Sequence, residues 1–378
     1  MFDGKTALTS SQTEIFIISH EPSGDLLGHE LAEQLMHMGC NPVMHQSGHA
    51  PATCPQSNIT PLPPTMGIWD VLGKIRAGKK LVDDLLAYVR QHQPDAVVTI
   101  DSMAINGPLA RRLRRQHPNC ALVHYAAPKL WAWRPGRAKK LRGLFDQLLC
   151  LFPFEGKFFD QYQIPTSFVG HPVVGRFEAN RPKDGSLLLL PGSRANEIRR
   201  LLPIFLQASR DHDPLAERVI VTLARHLELV NGLVGGQPNI RILTSDHDKK
   251  RAYEQASLAL AASGTVTLEL AMANTPMVVA YRVDHLSAMI ARRLLLVRYV
   301  SLVNLILDKD VVPELLQEQC TTENLSDALS RLKMGDGINQ QEEFAKLRLL
   351  LREKENPAAL AAGQVASAID HQRLSMGT

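Results

Sequence analysis

Short apolar runs closed by turn residues punctuate the chain, and each leads into a stretch that reads as helix. Glu14 to Ser19 (EIFIIS) opens the series and runs into His20-Glu21-Pro22-Ser23-Gly24-Asp25. Beyond it Leu26, Leu27, Leu31 and Leu35 fall on one side of a helix. Asn41 to Gln46, Ala96 to Ile100, Ala121 to Tyr125, Leu148 to Leu151 and Ser167 to Val169 repeat the strand pattern. Met66 to Arg90 reads mostly as helix, and residues 51 to 65, rich in proline and threonine, as loop. Gly170-His171-Pro172 and the polar run Asn180 to Gly185 interrupt the rhythm. It restarts with strands at Leu187, Val219 to Leu223, Ile240 to Leu243, residues 257 to 262 and Met277 to Tyr281. Alternation of strand and helix in both halves predicts an α/β protein of two doubly wound, Rossmann-like domains with parallel sheets facing each other across a cleft. The expected division is 1–172 and 173–345, with C-terminal helices over 346–378 that pack back on the first domain.

In open α/β sheets ligands gather at the carboxyl ends of the strands, so candidate chemistry is sought there. Leu187 to Ile198 reads LLLLPGSRANEI: a buried strand, a turn at Pro191-Gly192-Ser193, then Arg194 at the start of a helix-compatible run. Such a turn suits a phosphate, and equally suits a plain strand-to-helix junction with Ser193 as N-cap. Asp101 stands at the end of AVVTI, as a reactive carboxylate or as the N-cap of the next helix. Ser263-Gly264-Thr265 closes another strand ahead of a helix carrying Glu269, a carboxylate inside the otherwise apolar run Leu268 to Met272. Residues 126 to 134 hold Trp131 and Trp133. Met66 to Ile75 has more apolar surface than one helix face needs, with Lys74, Arg76, Lys79 and Lys80 at its end. It is either an amphipathic helix on the sheet or an interfacial one.

Composition narrows the function classes. With 378 residues and 45% apolar content the chain can bury two cores. A net charge of +4 suits an anionic substrate or an acidic membrane surface and is too weak to point to nucleic acid. The five cysteines are scattered and never form a CxxC pair, which fits a reducing compartment without a thiolate metal site. The first residues lack a basic start and an apolar core, and no uninterrupted apolar run reaches about 18 residues, so neither a signal peptide nor a membrane span is expected. No GxGxxG follows the first strand, which argues against a dinucleotide oxidoreductase.

A series of longer motifs runs through the chain: EPSGD at 21–25, MGIWDVLGK at 66–74, ID at 100–101, HYAAPKLWAWR at 124–134, FPFE at 152–155 and FVGHP at 168–172. LLPGSRANEI at 189–198, ASGTVTLELA at 262–271, PMVVAYR at 276–282, VSLVNL at 300–305 and PELLQEQC at 313–320 continue it. Taken in order, these motifs resemble those of the lipid-A-disaccharide synthase family of GT-B glycosyltransferases. The resemblance implies transfer of 2,3-diacylglucosamine from its UDP conjugate to 2,3-diacylglucosamine 1-phosphate. The products are a β-1,6 disaccharide and UDP, made at the cytosolic face of the inner membrane of Gram-negative bacteria.

It further implies that Asp101 is the base, with Glu21 second in line, and that Ser23 and Asp25 orient the acceptor. Gly192, Ser193 and Arg194, with Ser263, Gly264 and Thr265, would hold the diphosphate, and Glu269 the ribose. Asn304 and Gln317 match polar positions on the nucleotide side. Protein groups holding the diphosphate leave no need for a metal, and no cofactor is expected. Two lipid substrates turn the reading of Ile68, Trp69, Val71, Leu72 and Ile75 toward acyl-chain and membrane contact. His285 to Val300, with Arg292, Arg293 and Arg298 among leucines, is a second candidate. The expected partners are the two lipid substrates and the inner-membrane surface, not nucleic acid, and a homodimer is compatible with the chain.

The sequence departs from the family pattern in three places. His20 and Pro22 stand where its first motif has glycine and a small residue. Ser102 to Ile105 replaces a segment with a proline and a second aspartate, and Val303 replaces a proline. A catalytically altered UDP-sugar-binding protein or a membrane-associated scaffold is the competing reading. Another UDP-sugar transferase or a UDP-GlcNAc 2-epimerase is disfavoured by the HYAAPKLWAWR and MGIWDVLGK strings.

Overall fold

The computed structural model describes residues 13–48, 53–62, 71–179, 183, 185–283, 297–352 and 356–376. The chain divides into two compact units, residues 1–172 with 353–378, and residues 173–352.

The first unit is built on a six-stranded parallel sheet. Its strands are β1 (Glu14–Ile18), β2 (Asn41–His45), β3 (Ala96–Ile100), β4 (Ala121–Tyr125), β5 (Gln147–Cys150) and β6 (Thr166–Phe168). They lie in the order β2-β1-β3-β4-β5-β6, every pair parallel. All five residues of β3 and of β4 are buried, which is why these strands read as continuous apolar runs rather than alternating ones. Helices α1 (Pro22–His37), α2 (Val71–His92), α3 (Met103–Gln116), α4 (Leu130–Trp133) and α5 (Glu155–Asp160) connect them. One core joins Ile15, Ile17 and Val98 to Leu31 and Leu35 of α1 and to Val365 and Ile369 near the C-terminus. The other joins Phe16, Ile18 and Val97 to Leu85 and Val89 of α2 and to Leu109 and Leu113 of α3. Each such fully buried aliphatic side chain stabilises the fold by about 1.5–3 kcal/mol.

The second unit carries β7 (Leu187–Leu190), β8 (Arg218–Val221), β9 (Ile240–Leu243), β10 (Leu258–Ala262), β11 (Met277–Tyr281) and β12 (Glu314–Leu316). The order is β12-β11-β10-β7-β8-β9, again all parallel. Its helices are α6 (Ala195–His212), α7 (Leu227–Val234), α8 (Asp246–Gln255), α9 (Val266–Met272), α10 (Leu302–Leu307), α11 (Thr322–Arg331) and α12 (Gly337–Leu351). The last helix, α13 (Pro357–Met376), returns to the first unit, where it packs on α1 and joins the core beneath β3 and β4. Gln372 donates to Asp146 at 2.9 Å and Arg373 pairs with Asp95 at 2.8 Å, fixing its far end.

Both orders contain one point where strand succession reverses: between β1 and β3 in the first unit, between β7 and β10 in the second. Loops leaving neighbouring strands there turn to opposite faces of the sheet and open a crevice at the carboxyl edge. That rule singles out residues 19–25 with 101–106, and residues 191–197 with 263–269. Among the described residues no helix is long and apolar enough to cross a membrane.

Candidate active site

At the first switch point Glu21 and Asp101 converge on Ser102. The Ser102 amide donates to Asp101 Oδ1 at 2.8 Å, and the Ser102 hydroxyl donates to Glu21 Oε1 at 2.9 Å. Both carboxylates are exposed at the strand ends. Asp101 leaves β3 in a left-handed conformation with φ +48°, and Ser102 follows with φ +41°. Two successive non-glycine residues in that region are uncommon and hold only if the surroundings fix them. Asn106, buried on α3, donates through Nδ2 to the carbonyls of Ile100 (3.1 Å) and Asp101 (2.8 Å). The Asp101 amide donates to Tyr125 O at 3.1 Å. The turn thus aims a carboxylate outward while its backbone stays satisfied.

Ser23 is exposed in the first turn of α1, whereas Asp25 is fully buried. Its carboxylate accepts from the Ser47 amide at 3.0 Å and from the Ser47 hydroxyl, joining α1 to the segment after β2. Asp25 is spent on that link rather than turned to the crevice. Gly24 is required by close approach: a Cβ there would lie 2.6 Å from Ser19 Oγ.

The half-buried His20 and the buried His45 meet at this corner, and the buried His124 lies on β4. His20 Nε2 lies 3.1 Å from Asn106 Oδ1, and its ring meets that of His45 edge-on at 5.6 Å. Burial lowers the pKa of His20, and lowers that of His45 to about 4 and of His124 to about 3, so all three rings are neutral near pH 7. Farther along the carboxyl edge, Glu155 Oε1 accepts from Trp131 Nε1 at 3.1 Å, while Oε2 accepts from the amides of Leu151 and Phe152 at 3.0 and 3.1 Å. Burial pushes the Glu155 carboxyl up to about 7 against the pull of those three donors. The carboxylate fastens the tryptophan loop to the turn after β5.

At the second switch point the turn after β7 is a preformed bend. Gly192 has φ +106°, and a Cβ there would lie 2.5 Å from Glu197 Oε2, so only glycine fits. Glu197 accepts from the Arg194 amide at 3.3 Å and from the Arg194 guanidinium at 2.9 Å. The Arg194 side chain is 78% exposed even so. Ser193 is exposed, and its carbonyl accepts from His226 Nε2 at 3.0 Å. The start of α6 therefore presents a cation and helix-end amides in one place, with a carboxylate of the same chain engaging them.

Beside it, Ser263 Oγ donates to Val300 O at 2.9 Å, Gly264 has open space around its Cα, and Thr265 is exposed. Glu269 is half-buried on α9, and its carboxylate has no hydrogen-bond partner among the described residues. Burial raises its pKa, Arg176 and Lys249 oppose that rise, and Asp246 adds to it. A half-buried carboxylate without a hydrogen-bond donor of its own can accept from an incoming hydroxyl.

Asn304 is fully buried and its carboxamide is consumed within the fold. Nδ2 donates to Val312 O (2.8 Å) and Glu314 Oε1 (2.9 Å), and Oδ1 accepts from the Val311 and Val312 amides (both 2.9 Å). Glu314 also accepts from the Val300 and Ser301 amides at 2.9 Å each, so both residues shape the loop facing Ser263. Gln317, with φ +52°, accepts from the Val283 amide through Oε1 at 3.3 Å.

Ile68 and Trp69 lie outside the described residues, as do the side chains of Val71, Leu72 and Ile75, whose backbone forms the start of α2. Of the second membrane candidate, 284–296 also lies outside them, and Arg298 stands over the Tyr299 ring at 5.1 Å.

Asn106, Ser102, Glu155, Glu197 and Glu314 were not legible as site residues. The last three lie within the motif strings, but nothing in a string tells a ligand-facing polar residue from one that holds backbone.

Comparison with known proteins bears on the whole chain. The family model described as lipid-A-disaccharide synthetase matches residues 15–369. The chain is 38% identical over 348 residues to lipid-A-disaccharide synthase of Rhodospirillum centenum, covering 87% of each protein. It is 37% identical over 340 residues to the synthase of Granulibacter bethesdensis, covering 84% of this chain and 85% of that one. In structure it is similar to the UDP-GlcNAc 2-epimerase of Neisseria meningitidis bound to UDP-GlcNAc, with TM-score 0.60, 12% identity, and 95% and 100% coverage. It is also similar to MurG of Acinetobacter baumannii, with TM-score 0.56, 16% identity, and 94% and 99% coverage. These two likenesses show the fold, GT-B.

Proposed function

Because the chain belongs to the lipid-A-disaccharide synthase family, we propose that it is an inverting glycosyltransferase acting on UDP-2,3-diacylglucosamine and 2,3-diacylglucosamine 1-phosphate. The observation that carries this reading is the family match over residues 15–369. In the reaction the acceptor's primary hydroxyl attacks the anomeric carbon, the carbon–oxygen bond to UDP breaks, and the hydroxyl proton passes to a base. Inversion makes the β linkage.

Asp101 is the base in this reading. It is exposed at a switch point, its Oδ1 is oriented by the next amide, and Oδ2 is left for a substrate hydroxyl. Glu21, joined to the same turn through Ser102, orients the acceptor and is the alternative base. Arg194 and the amides at the start of α6 take the charge that develops on the leaving diphosphate. Glu269 accepts from the ribose hydroxyls, a role supported by its half-buried carboxylate, which has no hydrogen-bond donor among the described residues. Gly192, Ser193, Ser263, Gly264 and Thr265 supply backbone close to the nucleotide. The acyl chains and the inner-membrane surface are taken by the apolar segment at Ile68 to Ile75, from the cytosolic side.

The test incubates the purified protein with both lipid substrates and follows disaccharide 1-phosphate by mass spectrometry alongside UDP release. Equal amounts of the two products are expected. UDP-sugar binding without disaccharide, or UDP release without the acceptor, overturns the proposal in favour of a silent or hydrolytic protein.

A further inference from the structure

We propose that His20 is a positioning residue of the transfer reaction: by donating from Nε2 to Asn106 Oδ1 it holds the carboxamide that in turn holds the backbone carrying Asp101. The inference rests on the reading of Asp101 as the base. Its starting point is the pair of left-handed residues at the end of β3, Asp101 and Ser102. L-residues enter that region only at a cost, and the two carbonyls just ahead of and within the turn need donors. Asn106 Nδ2 supplies both, at 3.1 Å to Ile100 O and 2.8 Å to Asp101 O.

That nitrogen assignment is forced, because turning the amide over would set its oxygen against two carbonyl oxygens. Asn106 Oδ1 must then face His20 Nε2 at 3.1 Å, and it can only accept. The imidazole therefore carries its proton on Nε2. Burial keeps the ring neutral near pH 7, against the pull toward protonation of the Asn106 hydrogen bond and of Asp25 on α1. Asn106 is fully buried, and among the described residues His20 is the one donor facing its oxygen. Without His20 the carboxamide loses its single fixed orientation. The two carbonyls lose their donor in part, and the strained pair relaxes, carrying the Asp101 carboxylate away from its set direction. A displacement of this kind acts on turnover rather than on donor binding, which belongs to the other unit.

The experiment measures kcat and KM for UDP-2,3-diacylglucosamine in His20→Ala, His20→Gln, Asp101→Asn and the His20→Ala/Asp101→Asn double variant. Thermal unfolding followed by circular dichroism serves as the folding control, and UDP affinity by calorimetry reads the donor side. Expected is a kcat about 10- to 100-fold lower in His20→Ala with donor KM and UDP affinity within about twofold of wild type. His20→Gln, whose side-chain amide can donate to Asn106, recovers most of that loss. In the Asp101→Asn background His20→Ala has no further effect, since the residue it positions is already gone.

Wild-type kcat in His20→Ala, no recovery by His20→Gln, or an undiminished His20→Ala effect in the double variant each overturns the proposal. Full activity in Asp101→Asn overturns the reading beneath it and this proposal with it. By contrast, a dead Asp101→Asn beside an unimpaired His20→Ala overturns the positioning role alone. Should His20→Ala not fold, His20→Phe, which fills the ring's space without a donor, is read by the same criteria.

Discussion

Replacing Arg194 with alanine should weaken UDP binding by an amount that follows from what the side chain does before UDP arrives. A guanidinium bond to a phosphate oxygen contributes about 1.5–3 kcal/mol. In the ligand-free protein that guanidinium sits 2.9 Å from Glu197 Oε1, and the pair must open for the diphosphate to enter. With Arg194 78% exposed, the pair is screened and stabilises by about 0.2–1 kcal/mol. The difference, about 1–2 kcal/mol, corresponds to a roughly 5- to 30-fold rise in Kd for UDP. Glu197→Gln provides the converse. It keeps an acceptor for the Arg194 amide but removes the competing charge, so UDP should bind up to about fivefold more tightly. Arg194→Lys should recover only part of the loss, since an ammonium lacks the planar fork. Calorimetry with UDP at two salt concentrations reads all three variants, and salt should weaken wild type more than Arg194→Ala. Unchanged UDP affinity in Arg194→Ala refutes the phosphate role of the turn. An unchanged affinity in Glu197→Gln refutes the competition between carboxylate and ligand.

Asp101→Asn should abolish disaccharide formation, by about 100-fold or more, while leaving UDP affinity intact; a near-normal rate removes Asp101 as base. Glu269→Gln should raise the Kd for UDP and less so for UDP lacking a ribose hydroxyl, and equal losses for both ligands would count against ribose contact. For Glu155 the folded carboxyl titrates at about 7 against an unfolded value of 4.5, so the folded state holds the proton more tightly. The stability this contributes is complete below pH 4.5 and fades as pH rises through 7, about 3 kcal/mol in all. Thermal unfolding of wild type should fall across that window, and a Glu155→Gln variant with the same slope would refute the assignment. Leu72→Ser with Ile75→Ser should move the protein from membrane to soluble fractions, and an unchanged distribution would count against the apolar segment.

Strand positions were legible because parallel strands buried on both faces leave uninterrupted apolar runs: AVVTI and LLLL could hardly be anything else once turns flanked them. The strand missed was β12. Glu314-Leu315-Leu316 is a half-exposed edge of three residues after a proline, too short for a period to register. The search for chemistry at the carboxyl ends of the strands followed from the same logic, whereas the strand order that makes two of those ends switch points is seen only in the fold. Asp101, Glu21, Arg194 and Glu269 were candidates from this logic together with the family motifs, and in the fold the first three stand at or just beyond such an end, with Glu269 on the helix that follows one.

What could not be read was the division of labour among polar residues at those ends. Asp25 and Asn304 sit in motif strings as prominently as Glu21 and Gln317, yet their polar atoms are occupied by Ser47 and by residues 311–314. The conformation of Asp101 and Ser102 was equally hidden, because neither residue type announces a left-handed backbone as glycine does. The groups that stabilise that turn lie at positions 106 and 20, one on α3 and one on the loop after β1. A local pattern cannot join them; only the pairing of β1 with β3 does. His20 therefore reads in sequence as a departure in the first motif, and in the fold as part of the support for Asp101. It follows that the two departures nearest the acceptor side, at His20 and at Ser102 to Ile105, are not independent. Each adjoins the same strained turn, and altering one changes what the other must hold in place.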